Sequence, residues 1–377
     1  MEIFISAGEA SGDLHGSHLA RAIWSIAPQT RLSCLGGPRM QAEGVPVVVD
    51  NRSISVVGIS EVAAHVRAIY SAWRKLRAHL LAVRPAVVVL IDFPDFNLIL
   101  ARFAKKIGAK VFYYISPQVW GWREGRVRTI RRLVDRMAVI LPFEKDFYAS
   151  HGMEVDYVGH PLVDIMADVP DKVQCDRLYR GSGGPLVGLL PGSRRNEIKL
   201  LFDVLMDAAR IISGAIPEAG FIIPVAPSLD AGEIERMAAR WSLPLRVVPD
   251  DTYGVIRACD LILTASGTVT LEAAILETPM IIAYKVARLS RLIGELLIRV
   301  NLIGMPNVLA GRKIVPEFVE EEPTAPRLAG CAIGLLREPA LLDAQRRELG
   351  RIRGGLGSPG ISGRVARLVL DTAEATR

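Results

Sequence analysis

Short, fully apolar runs alternate along the chain with stretches whose apolar residues recur at helical spacing. The first series of runs covers residues 3–7, 47–49, 86–91, 111–115, 137–141 and 155–159. The second covers residues 186–190, 221–225, 245–248, 261–264 and 280–284. β-branched residues fill most of them. Strands with no polar side are covered on both faces, which is where helices flank a parallel sheet. The pattern therefore predicts an α/β protein of two Rossmann-like doubly wound lobes. Ligands are expected at the carboxyl ends of the strands and in the cleft between the lobes.

A polar, Gly-containing stretch between Pro170 and Pro185 separates the two series and reads as a linker. The expected divisions are 1–168, 169–352 and a C-terminal helical segment, 353–377. Residues 317–323 read as an acidic turn and residues 354–363 as a Gly-rich break before the last helix.

Length and composition agree with this picture. A chain of 377 residues that is 50% hydrophobic can fill two cores. No apolar run approaches the roughly 18 residues of a membrane-spanning helix. Met1-Glu2 leads directly into an apolar strand with no basic n-region, so a cytoplasmic protein is expected. Cys34, Cys175, Cys259 and Cys331 form no CxxC pair, which predicts free thiols. The six histidines form no HxxxH or HExxH motif, so no metal site is expected; His15, beside the first Gly-rich loop, stands out only by position. The net charge of +6 suits nucleic acid, an anionic membrane surface or phosphorylated substrates.

Chemistry-bearing residues cluster just after predicted strands. Gly8 to Asp13, with Ser11 and Gly12, follows the first strand and opens a helix; either the backbone there approaches an anion or Asp13 caps. It is not a dinucleotide fingerprint. Asp92 ends an apolar strand, and a carboxylate in a pocket built by Phe93 and Phe96 could act as a base. Asp95 and Asn97 follow, as helix caps or as assistants to Asp92. Gln118 and Trp120 lie in a rigid Pro- and Gly-containing turn suited to a sugar ring or an acyl chain. Arginines 123, 126, 128, 131, 132 and 136 then crowd one segment, as a solvated face or a phosphate- or bilayer-attracting one. Residues 53–81 combine Val56, Val57 and Trp73 with Arg74, Lys75 and Arg77. That basic amphipathic pattern has more apolar positions than one core-facing stripe needs, which points to a membrane surface.

In the second series, Gly192-Ser193-Arg194 follows a strand and opens a helix, where a guanidinium could pair with a diphosphate. Ser266-Gly267-Thr268 stands at another strand-to-helix junction, whose free N–H groups suit a diphosphate. Glu272 lies one turn in and could accept both ribose hydroxyls. Together these predict a nucleotide site in the second lobe.

The stretches SAGEASGD, GGPRM, IDFPDFN, SPQVWGWR, LPFEKDFY, VGHPL, LPGSRRNEI, ASGTVTLEAA and MPNVLAGR occur in this order from residue 6 to residue 312. In combination they resemble the lipid-A-disaccharide synthases, inverting glycosyltransferases of family 19 with the two-lobed GT-B fold. The resemblance implies transfer of 2,3-diacylglucosamine from its UDP derivative to 2,3-diacylglucosamine 1-phosphate. The products are a β-1,6-linked disaccharide 1-phosphate and UDP. It implies a lipid-acceptor, membrane-facing first lobe and a UDP-sugar-donor second lobe. It also implies no cofactor and no metal, no nucleic-acid partner, and peripheral attachment to an anionic membrane, the inner face of the inner membrane. In the family the last helix can cross to the N-terminal lobe or be exchanged between subunits of a homodimer. Asp92 matches the family's proposed base; Arg194, Glu272 and Asn307 match positions that hold the donor or shape its site. The alternatives are a UDP-GlcNAc 2-epimerase or another UDP-sugar enzyme of the same fold, and a non-catalytic lipid- or UDP-sugar-binding protein.

Overall fold

The computed structural model describes residues 1–53, 62–122, 124–181, 183–285, 302–320 and 324–375. The chain forms two compact units. One is Met1–Asp164 with Leu356–Arg377, and the other is Ile165–Gly355.

The first unit is built on a seven-stranded parallel sheet. Its strands are β1 (Glu2–Ala7), β2 (Arg31–Gly36), β3 (Val47–Asp50), β4 (Val87–Ile91), β5 (Lys110–Tyr114), β6 (Arg136–Val139) and β7 (Asp156–Tyr157), in spatial order β3-β2-β1-β4-β5-β6-β7. The second unit repeats the arrangement. Its strands are β8 (Leu186–Leu190), β9 (Gly220–Val225), β10 (Leu245–Pro249), β11 (Leu261–Ala265), β12 (Met280–Lys285) and β13 (Glu317–Glu320), in order β10-β9-β8-β11-β12-β13. In both sheets the chain runs outward one way from the first strand, then returns to its other side. The switch points lie between β1 and β4 and between β8 and β11, where doubly wound folds bind ligands at the carboxyl ends of the strands.

The apolar runs are strands because both faces are covered. Every residue of β4, β8 and β11 is buried. In the second unit the helix Arg195–Ala215 lays Leu201, Leu205 and Ile212 against this core, together with Leu328 and Ala332 of the helix Ala325–Arg337. In the first unit the last helix, Ile361–Glu374, packs on the helix Ala10–Ile26. Its N-terminus is capped from a distance: the Asp164 carboxylate accepts the N–H groups of Gly360 (2.7 Å), Ile361 (3.2 Å) and Ser362 (3.1 Å). A carboxylate there satisfies orphan donors and meets the positive end of the helix dipole.

Three features differ from the sequence pattern. β2 escapes the apolar-run criterion because Arg31 and Ser33 interrupt it; Ser33 is nevertheless buried, its hydroxyl 2.8 Å from His79 Nε2. The acidic segment at 317–320 is the edge strand β13, paired with β12, and short charged strands suit sheet edges. The supposed linker contains the helix Lys172–Tyr179, fastened to the second unit by Lys172 on the Ala258 carbonyl (2.6 Å); Arg180, just past its end, pairs with Asp260 at 2.8 Å.

The amphipathic segment also resolves differently. Val56 and Val57 lie outside the described residues. Within the helix Val62–Val83, Ala72, Leu76 and Leu80 are core residues. Trp73, expected at a membrane surface, instead packs edge-on against Phe103 (5.5 Å between ring centres) and Phe96 (6.4 Å). The core takes it because Trp73 lies on the same helix face as Leu76 and Leu80. Arg74, Lys75 and Arg77 are on the exposed side, Arg77 with its guanidinium over the Phe103 ring at 5.3 Å.

Candidate active site

At the first unit's switch point, β4 ends in an unusual turn. Asp92 and Phe93 both have φ of 46°, in the left-handed region that ordinary side chains avoid. Such a turn persists only when its surroundings over-determine it. Here the buried Asn97 does so. Its Nδ2 donates to the carbonyls of Asp92 (2.7 Å) and Ile91 (3.2 Å), and its Oδ1 accepts from Ser6 Oγ (2.7 Å). The Tyr113 hydroxyl donates to the same Asp92 carbonyl at 2.8 Å. Gly8 makes room from the neighbouring strand, since a Cβ there would fall 2.2 Å from the Phe93 ring. The Asp92 side chain is thereby presented outward, at the wall of a 340 Å³ cavity. Burial raises its pKa to about 6; nearby Glu9 adds to the rise and the Phe93 N–H opposes it.

Gln118, Ser116, Arg126 and Glu144 also line this cavity. Glu144 was not singled out in the sequence, although LPFEKDFY places it three residues into a helix after β6. Its Oε2 accepts the N–H groups of Leu141 (2.9 Å) and Ile140 (3.2 Å). Burial nonetheless raises its pKa to about 7 against those bonds and the nearby Trp120 and Ser116. Ser116 is itself 2.5 Å from the Tyr148 hydroxyl.

Other candidates serve elsewhere. Asp13 is buried and its carboxylate accepts the N–H groups of Gly37 (2.7 Å), Arg39 (2.9 Å) and Met40 (3.2 Å). It caps the short helix Pro38–Ala42 rather than its own helix or a ligand. Gly12 packs against Ala7, and Ser11 is exposed. Asp95 pairs with Arg126, and Trp120 stacks edge-on to Phe143 (4.9 Å) rather than lining the cavity. His15 keeps a neutral ring, its pKa lowered to about 4 by burial and by His18.

At the second unit's switch point, two junctions face the same strand ends. After β8, Gly192 has φ of 129°, and a Cβ there would meet Glu197 at 2.5 Å. Glu197 Oε2 accepts the N–H groups of Ser193 (2.8 Å) and Arg194 (3.2 Å), and Oε1 holds the Arg194 guanidinium at 3.1 Å. The Ser193 and Arg194 N–H groups are therefore already satisfied, while the Arg194 side chain, the group expected to meet a diphosphate, is 82% exposed. After β11, Gly267 has φ of 153° and nothing lies within 4 Å of where its Cβ would be. No side chain caps the helix Thr268–Ile275, which leaves its N-terminus available to a ligand, although the Thr270 N–H is held by the Gly267 carbonyl at 3.1 Å. Ser266 sits at the mouth of this junction, and Glu272 follows in the helix. Burial raises the Glu272 pKa to about 7 while a hydrogen bond from Tyr253 lowers it.

Asn307 does not point to a ligand. It is buried, with Nδ2 on the Val315 carbonyl (2.9 Å) and Glu317 Oε1 (2.7 Å). Its Oδ1 accepts the N–H groups of Ile314 (2.7 Å) and Val315 (3.0 Å). An asparagine amide offers two donors and two acceptor lone pairs, so all four are spent.

A family model described as lipid-A-disaccharide synthetase matches residues 3–342. The chain belongs to the lipid-A-disaccharide synthase family. It is 45% identical over 370 residues to the lipid-A-disaccharide synthase of Geobacter sulfurreducens, covering 98% of this chain and 96% of that one. Identity to the synthase of Syntrophus aciditrophicus is 42% over 370 residues, covering 98% and 97%. Among solved structures the chain is similar to a UDP-GlcNAc 2-epimerase from Neisseria meningitidis bound to UDP-GlcNAc (TM-score 0.66, 12% identity, 98% and 100% covered). It is also similar to the kitacinnamycin glycosyltransferase (TM-score 0.63, 17% identity, 98% of both). At those identities the structural likeness supports the GT-B fold alone. As a member of the lipid-A-disaccharide synthase family the chain is a glycosyltransferase of lipid A synthesis, using a UDP-sugar and a lipid-linked sugar. Among the described residues no helix is long and apolar enough to cross a membrane.

Proposed function

We propose that the chain transfers 2,3-diacylglucosamine from UDP-2,3-diacylglucosamine to the 6-hydroxyl of 2,3-diacylglucosamine 1-phosphate. Asp92 is the base. Its ionised carboxylate takes the 6-hydroxyl proton as the oxygen attacks the donor's anomeric carbon from the face opposite UDP. The bond from that carbon to the diphosphate breaks, and its electron pair leaves with UDP. The open N–H groups at Gly267 and Thr268 and the Arg194 guanidinium stabilise the charge developing on the diphosphate, so that no metal is required. Glu272 receives the ribose hydroxyls. The observation that carries this reading is Asp92: a carboxylate held outward by an over-determined turn, at a switch point, on a cavity wall, with burial matching its basicity to near-neutral work.

Mass spectrometry of products from the two acylated substrates tests the reading. Wild type should form the disaccharide 1-phosphate, and a folded Asp92→Asn protein should lose at least about a hundredfold in kcat. Turnover at the wild-type rate by that variant would remove Asp92 from the role. Calorimetry with UDP tests the donor half: Arg194→Ala should weaken binding, and unchanged affinity would count against the diphosphate contact.

The proposal extends to place: attachment to the inner face of the inner membrane through the exposed side of the helix Val62–Val83, where Arg74, Lys75 and Arg77 lie. Reversing those three charges should reduce sedimentation with anionic liposomes; unaltered binding would sink the proposal.

A further inference from the structure

Of the described arginines between 126 and 136, Arg126 alone lines the cavity that holds Asp92. Among the described residues lining it, Arg126 is also the one basic side chain. Its neighbours in the run point elsewhere: Arg131 donates to the His151 carbonyl at 3.1 Å, and Arg136 pairs with Asp156 at 2.8 Å. Arg128 and Arg132 are exposed. The described arginines of the run thus separate into a solvated face and one guanidinium turned to the site.

That guanidinium is held in a way that leaves it transferable. Its partner Asp95 is 76% exposed, whereas Arg126 is 25% exposed. An ion pair with so wet a carboxylate is weak and readily exchanged. A phosphate monoester offers the planar guanidinium fork two oxygens and greater charge, in a site with less water.

We infer that Arg126 recognises the phosphate of the acceptor, exchanging Asp95 for the sugar 1-phosphate, and so makes the enzyme select phosphorylated over unphosphorylated acceptors. The inference rests on the proposed reaction. The geometry fits it: C1 and the C5 that bears the 6-hydroxymethyl group both flank the ring oxygen of a hexosamine, so base and phosphate-binding cation must share one small cavity, and this one carries both on separate elements, β4's end and the turn Glu124–Arg126. Its 340 Å³ is at the small end of ligand pockets, room for one sugar headgroup with acyl chains outside. Glu144, the cavity's second carboxyl group, is pushed toward its neutral form by burial, which lessens repulsion of an incoming phosphate.

The test uses the full-length enzyme, saturating donor, and two acceptors in mixed micelles: 2,3-diacylglucosamine 1-phosphate and the same lipid with a free 1-hydroxyl. Wild type should favour the phosphorylated acceptor in kcat/KM. Arg126→Gln should lower kcat/KM for that acceptor by about 10- to 100-fold while leaving the unphosphorylated acceptor and the donor KM within about twofold. Arg126→Lys should fall between. Equal loss on both acceptors, retained discrimination, or a raised donor KM would each overturn the inference; the last would assign Arg126 to the diphosphate. Asp95→Asn gives a second reading that leaves Arg126 in place. It should lower the KM for the phosphorylated acceptor about two- to threefold by removing the competitor, and an unchanged or higher KM overturns the inference. If wild type makes no disaccharide from either acceptor, it is the proposed reaction that has failed.

Discussion

Asn97 donates to the backbone carbonyl of Asp92 at 2.7 Å, and this bond, rather than any side-chain contact, couples the two residues. Asn97 therefore acts on Asp92 through the main chain. Truncating it in Asn97→Ala leaves the Ser6 hydroxyl and the Ile91 carbonyl without that partner, while Tyr113 still holds the Asp92 carbonyl. The expected cost is about 1–3 kcal/mol of stability, read by denaturant unfolding. The left-handed turn should also loosen, misdirecting the carboxylate and lowering kcat about tenfold with donor KM unchanged. Loss of stability without loss of kcat would mean that Tyr113 and the Gly8–Phe93 packing suffice to aim the base.

Burial pushes Asp92 up to about 6, and this has two consequences of opposite direction. The base works ionised, so kcat/KM should rise with pH through about 6 and fall roughly tenfold per unit below it. Stability runs the other way. The folded state prefers the proton more than the unfolded chain, whose carboxyl titrates near 3.8. The contribution is present below 3.8 and is lost as pH rises through 6, so the ionised group is a cost at pH 8. Asp92→Asn should accordingly be inactive yet more stable than wild type at pH 8, by about 1–2 kcal/mol after allowing for solvent screening at a half-buried site. The gap should close by about pH 4. Melting curves at the two pH values decide it, and a variant less stable than wild type at both would contradict the burial argument.

The fold was legible because parallel strands covered on both faces must be apolar, and β1, β4, β8 and β11 are nearly pure. β2 and β13 were not, since one buries a serine against a histidine and the other is an acidic edge. In the candidate site, residue type and pattern placed Asp92, Arg194 and the Gly267 junction just after strands, and there they lie, after β4, β8 and β11. What sequence could not tell is which atoms a buried polar group satisfies. Asp13 reaches Gly37, 24 residues on, and Asp164 reaches Gly360 across 196. Asp13 and Asn307 thus look like ligand residues until their partners are seen. Trp73 illustrates the same limit, because a helix face rich in apolar residues reads alike for a core and for a bilayer.

The Gly192 junction makes a separate prediction for the donor side. Its φ of 129° is closed to other residues, and a Cβ would strike Glu197, which fixes the Ser193 and Arg194 N–H groups. Gly192→Ala should therefore dislodge the loop that carries Arg194. UDP affinity by calorimetry is expected to fall at least about tenfold, while the pH profile set by Asp92 in the other unit stays as in wild type. An Ala variant binding UDP normally would show that the loop's conformation is immaterial to the diphosphate.

Asn307 provides the converse case, a residue matched to the donor site whose chemistry is already consumed. Its amide bridges the helix Met305–Ala310 to the chain entering β13, satisfying two backbone N–H groups and one carbonyl and holding Glu317. Glu317 in turn accepts the Gly304 N–H at 2.8 Å, at the start of that helix. Asn307→Ala strands these buried groups, and the expected loss is about 2–4 kcal/mol, seen as a lower unfolding midpoint. Because no amide atom is left over for the nucleotide, UDP affinity measured well below that midpoint should change less than about threefold, in contrast to Arg194→Ala. A variant that keeps its stability but loses UDP binding would mean the amide turns from Val315 to the donor, and the saturated network would then be a resting arrangement rather than the working one.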